Sequence, residues 1–189
     1  MKSMRMLALA VMGACVFGAA GAGSASASLF HASKTGTLKG TALNTYVFNT
    51  GGAVPVSMEC KKAATSGTVT SPLALSQLVS VTYSGCTVAG ASVTVTSAHY
   101  LISADDGLVA FKNLVILTVP VGGCKLFILP QHVKGIAFTS SGGRLIEESN
   151  VKNLVTSGTG GTCGPGSSAG TYVGRSDVEL EGGTISWKK

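Results

Sequence analysis

From Val81 to Thr96 the chain reads VTYSGCTVAGASVTVT. β-Branched residues alternate with small polar ones, pause at Ser84-Gly85-Cys86, and alternate again. A period of two puts every second side chain on one face of an extended chain; a helix would scatter the same residues around its axis. The texture recurs in TYVFNT (45–50), LVILTVPV (114–121), CKLFILP (124–130), GIAFTSS, RLIEES and VKNLVTS. Gly, Ser and Asn separate these short runs, and Asp105-Asp106-Gly107 is a hairpin-turn signal. The nearest approach to a helical pattern is SPLALSQLVS (71–80), with room for one turn. The pattern predicts an all-β fold, a disulfide-stapled β-sandwich with a β-barrel as the alternative.

The first 27 residues fall outside that pattern. Lys2 and Arg5 precede an uncharged apolar run from Leu7 to Ala20, and Ala25-Ser26-Ala27 offers small residues at a cleavage position. That order is the order of a secretory signal peptide. Cys15, in VMGAC, raises a lipoprotein alternative, but the apolar run continues beyond it and Met12 fits a lipobox poorly. The expected division is therefore a signal peptide at 1–27 and one all-β domain at 28–189. Removal of Lys2 and Arg5 leaves 12 basic and 8 acidic residues, a surplus of 4. The densest basic points, Lys61-Lys62 and Lys188-Lys189, form no stripe with interleaved aromatics, so no nucleic-acid partner is expected. Pro120 and Gly122-Gly123 interrupt the longest apolar run after residue 28, so no transmembrane segment is expected there. The expected location is the extracellular space or the cell surface.

Four cysteines follow residue 27: Cys60, Cys86, Cys124 and Cys163. An even number in an exported chain suggests two disulfides, for which three pairings exist. Sequential pairing, Cys60 with Cys86 and Cys124 with Cys163, is favoured because each bond then closes a local loop. On this reading Cys86 marks a strand boundary held to another strand's end. The lack of C-x-x-C spacing, and of histidines grouped with cysteines, speaks against a zinc site or a redox motif.

The remaining candidates are weak as catalysts. GSSAG (166–170) fits G-x-S-x-G with Ser168 as nucleophile, but a Gly-Pro loop precedes it, strand-like sequence follows, and every histidine lies upstream. The six-glycine stretch 156–171 reads as a long surface loop pinned at Cys163, without the lysine of a phosphate-binding loop. Asp105-Asp106 lacks the oxygen count and spacing of a calcium loop. Glu147 and Glu148 are neighbours on a strand and must face opposite ways, one of them to solvent. His99-Tyr100 must likewise divide, one inward. Tyr46, Tyr83, Tyr100, Tyr172 and Trp187 are spread along the chain and read as core residues, able to form a sugar-binding platform only if the fold gathers them. No catalytic, cofactor-binding or metal residue is assigned.

Taken in order, MECKKAATSGTVTS, VTYSGC, CKLFIL, SNVKNLVTSG and GTYVGRSDVELEG resemble a group of uncharacterised exported proteins of high-GC Gram-positive bacteria. Those proteins look like a signal peptide followed by one Ser/Thr/Gly-rich β domain. Two further cysteines of that pattern, near 97–99 and ahead of Cys124, are missing here together, as a lost third disulfide would be. The resemblance implies export and a sandwich-like fold, and no activity.

The expected function is thus that of an exported, non-catalytic surface or envelope module binding a wall polymer, a glycan or another protein. Two alternatives make different structural demands. A secreted hydrolase needs His99 or His132 brought to Glu147, Glu148 or Asp177 in one pocket. A small-molecule carrier needs a barrel with an apolar interior.

Overall fold

The computed structural model describes residues 28–51, 55–105, 107–113, 115–119, 123–160 and 167–189. The expected signal peptide lies outside the described residues, as does Cys163. Among the described residues there are sixteen strands and no helix. In order they are β1 (Leu29–Ala32), β2 (Gly36–Ala42), β3 (Tyr46–Asn49), β4 (Ser57–Val69), β5 (Leu73–Ala74), β6 (Ser76–Val88), β7 (Ala91–Val95) and β8 (Ala98–Ser103). There follow β9 (Leu108–Phe111), β10 (Val115–Val119), β11 (Cys124–Ile128), β12 (His132–Lys134), β13 (Ile136–Ser141), β14 (Arg144–Thr159), β15 (Ser167–Leu180) and β16 (Ile185–Lys188). The all-β expectation holds.

Four long strands, β4, β6, β14 and β15, run through the molecule, and shorter strands complete the wall at each end. At one end the antiparallel pairing runs β3–β4–β6–β7–β10–β11–β14–β15 and returns to β3. The hydrogen-bonded path closes on itself, which is the barrel-like arrangement of the two expected. A closed ring leaves no unpaired strand edge. At the other end the wall runs β12–β9–β8–β6–β4–β2–β15–β14–β13. Its two outer strands, β12 and β13, are consecutive in sequence and meet at Gly135, whose carbonyl accepts from the Asn150 amide at 2.6 Å.

A three-stranded sheet, β16–β1–β5, packs against this second end and joins the first and last described strands. Ser140 Oγ both donates to the Trp187 carbonyl and accepts from the Trp187 amide, tying β16 to β13. The Trp187 indole N–H donates to the Ala104 carbonyl at 2.7 Å, tying β16 to the turn after β8. Alternation carries the core: Leu38, Leu117, Leu154, Val115 and Val151 are almost fully enclosed.

Three local expectations need correction. Ser84-Gly85-Cys86 is no turn. β6 passes straight through it, with Gly85 at φ 63° kinking the strand, and the reversal comes later, at Ala89-Gly90. Glycine tolerates that left-handed conformation inside a strand, which an L side chain resists. The stretch 71–80 forms no helical turn; it holds β5 and the start of β6, recruited by pairing with β1 and β8. In the glycine-rich stretch 156–171, β14 runs to Thr159 and β15 starts at Ser167, so both flanks of the expected loop are strand.

Candidate functional site

The wall has a sharp inside and outside, and alternation assigns residues to them. On β14, Leu145, Glu147, Ser149 and Val151 share the inner face; on β15, Tyr172, Gly174, Ser176 and Val178 do. The β14–β15 register sets Glu147 opposite Ser176 and Ser149 opposite Gly174. The missing side chain at Gly174 is filled from β3: a Cβ there would lie 1.9 Å from Cδ1 of Tyr46. The Tyr46 ring thus lies over Gly174. Its hydroxyl reaches Ser176 Oγ, in a hydrogen bond, and donates to Glu147 Oε2 at 3.3 Å. Ser149 Oγ donates to the other carboxylate oxygen, Oε1.

Beside this group stands a layer of tyrosines. Tyr83 Oη lies 2.9 Å from Tyr100 Oη and 2.7 Å from Tyr172 Oη. The rings of Tyr46 and Tyr172 stack at 5.4 Å, and Tyr83 meets Tyr46 edge-on at 5.8 Å. Burial raises the pKa of all four phenols, so they stay protonated as hydrogen-bonding groups. The same burial pushes the Glu147 carboxyl up to about 7, against the opposing effect of its hydroxyl partners.

The tyrosine layer lies between two interior spaces. The one within the closed ring is about 20 Å³. The other, about 60 Å³, lies on the Glu147 side and is lined mostly by apolar side chains. Phe30, Tyr46, Tyr100, Phe111, Phe138 and Tyr172 supply its aromatic lining. Glu147 carries the one acidic group among its described lining residues, and no lysine, arginine or histidine lines it. By volume the space suits a few water molecules or a very small organic molecule.

The paired glutamates divide as alternation requires, with Glu147 inside and Glu148 outside, where Glu148 accepts from Arg175 at 3.1 Å. Tyr100 faces in and His99 out, the latter with Nδ1 2.8 Å from Ser80 Oγ. The fold gathers the tyrosines inside the wall instead of forming an exposed platform. Asp177 is held by Arg144 at 2.8 Å on the outer face. His132 lies on an outer groove with Lys134, Asn150 and Lys152. Of the groups the hydrolase alternative needs, Glu147 faces inward and both histidines face outward, while Glu148 and Asp177 are engaged by Arg175 and Arg144. Ser168 sits in β15, which continues as strand where a nucleophile elbow needs a helix. Asp105 belongs to the β8–β9 turn, as expected, and Asp106 lies outside the described residues. No group of three metal-ligating side chains occurs among the described residues.

The Cys60–Cys86 disulfide is present, linking residues directly opposite each other on β4 and β6. Cys124 is also disulfide-bonded. The expected partner, Cys163, is outside the described residues. No helix among the described residues is long and apolar enough to cross a membrane. The disulfide is compatible with an extracellular protein.

Sequence reasoning named Glu147 and the tyrosines without connecting them. The signal within reach was the i, i+2 spacing of Glu147 and Ser149, which places both on one strand face. No protein-family model, curated protein or solved structure matches this chain.

Proposed function

We propose that this chain is an exported, non-catalytic binding protein whose barrel interior holds a small molecule. One observation carries the reading: beside the closed ring lies a cavity bordered by six aromatic side chains, into which the hydroxyls of Tyr46 and Ser149 converge on Glu147. Binding sites for small molecules are typically apolar enclosures with a few placed polar groups that fix orientation. Export rests on the signal-like first 27 residues and on the disulfide, which persists in oxidising compartments.

Xenon NMR on the chain from Ser28 to Lys189, with propanol and butanol as competitors, tests this. Saturable xenon shifts that the alcohols displace support the reading. A linear, non-saturating response from all probes overturns it.

A second reading has its own observation. An outer groove of about 420 Å³ is bordered by His132, Lys134 and Lys152, and such a surface suits an anionic wall polymer. Co-sedimentation with isolated cell walls at low and high salt tests it. Retention at high salt supports a specific wall module, and the absence of sedimentation removes it.

A further inference from the structure

We infer that the interior cavity takes a small organic cation, an alkylammonium of a few carbon atoms, with its charge against Glu147. This deepens the proposed binding function and rests on it. The cavity's composition selects the ligand. Six aromatic side chains border it, together with a carboxylate, and none of its described lining residues is basic. The groups meeting Glu147 are the neutral hydroxyls of Tyr46, Ser149 and Ser176. They satisfy lone pairs but supply no countercharge. A buried carboxylate without a cation is costly, and a guest that brings the cation removes that cost. Aromatic rings add attraction for an ammonium, and an alkyl body suits the remaining apolar wall. An anionic guest would meet the carboxylate with no basic lining group, and a sugar would leave most of its hydroxyls without partners against aliphatic and aromatic walls.

The volume limits the guest. At about 60 Å³ the cavity has room for a propylammonium-sized molecule and none for a fatty acid or a sterol.

The test compares two probes of similar shape, propylammonium and propanol, by calorimetric titration into the Ser28–Lys189 chain at pH 8, and repeats both with Glu147→Gln. Propylammonium should bind about tenfold tighter than propanol to the unaltered protein. The substitution should abolish that preference. Equal affinity for the two probes overturns the inference, as does a preference that survives Glu147→Gln. In either case propanol binding still upholds the interior-binding proposal. Failure of both probes to bind overturns both. Should Glu147→Gln prove unfolded by circular dichroism, the comparison on the unaltered protein decides alone.

Discussion

The backbone nitrogen of Ser28 donates to Oδ1 of Asp105 at 3.1 Å, joining the start of β1 to the turn between β8 and β9. Ser28 is buried, 1% exposed, at the position where the proposed cleavage after Ala27 would create a new chain end. Processing there would turn an amide N–H into an ammonium and the hydrogen bond into an ion pair. The pair would pin the small sheet β16–β1–β5 to the wall it covers. Because Asp105 is exposed, its contribution is screened, and Asp105→Asn should cost the processed chain about 1 kcal/mol. Acetylation of the Ser28 amine should produce a comparable loss, and combining the two should add little. Melting curves of the four forms check this; full additivity would show that the two groups act independently.

The Glu147 carboxyl predicts a pH dependence with a definite sign. Burial raises its pKa in the folded protein to about 7 from the 4.5 of a free glutamate. The folded state then holds a proton that the unfolded chain releases between those values. Glu147 therefore contributes stability that is fully present below about pH 4.5 and is lost as pH rises through 7. The shift corresponds to about 3 kcal/mol. Tyr46, Tyr100 and Tyr172 face the same cavity and stay neutral throughout this range, and Glu148 points outward to Arg175. Denaturant titrations of Glu147→Gln and the unaltered chain between pH 5 and 8 isolate the effect. The substitution should remove most of the decline, and parallel curves would assign it to other groups.

Much of this architecture is legible in the residues, for physical reasons. Strand alternation is local, so VTYSGC and ASVTVT announce themselves, and so does the opposite facing of Glu147 and Glu148. Gly85 misleads because a glycine that ends one strand and a glycine that kinks one look alike in sequence. The difference lies in the partner strand, where the pairing of Cys60 with Cys86 and of Lys62 with Ser84 carries the ladder across it. The interior site is less legible still. Tyr46, Tyr83, Tyr100 and Tyr172 come from β3, β6, β8 and β15, and they meet because the wall closes. Glu147 meets Ser176 through the β14–β15 register, which a shift of one residue would destroy.

The disulfide between Cys60 and Cys86 crosses two long central strands and closes a loop of 26 residues. Its removal releases the unfolded chain from that constraint. Cys86→Ser should lower stability by about 2–5 kcal/mol. The same loss is expected from Cys60→Ser, and the double variant should be no worse than the singles, since one bond is lost in each case. Chemical denaturation of the oxidised proteins checks this. A melting temperature unchanged by Cys86→Ser would mean that the bond is absent in solution.

Gly174 and Tyr46 offer the most direct test of the interior site's construction. The glycine lies on the inner face of β15, and the ring from β3 occupies the place of its side chain, 1.9 Å from where a Cβ would stand. An alanine there must displace the ring. The displaced hydroxyl then loses its hydrogen bonds with Ser176 and Glu147, so the substitution combines overpacking with broken polar contacts. Gly174→Ala alone should cost about 2–4 kcal/mol. Tyr46→Ala alone should cost about 3–5 kcal/mol through the cavity it leaves. On the Tyr46→Ala background the clash has nothing to meet, and adding Gly174→Ala should cost close to zero, because the new methyl enters space that the ring vacated. A double-mutant cycle measured by urea denaturation therefore predicts a coupling of about 2 kcal/mol or more between the two positions. Simple additivity would mean that the ring does not lie over Gly174, and the Glu147 site would then lack the group that positions its carboxylate from the third strand.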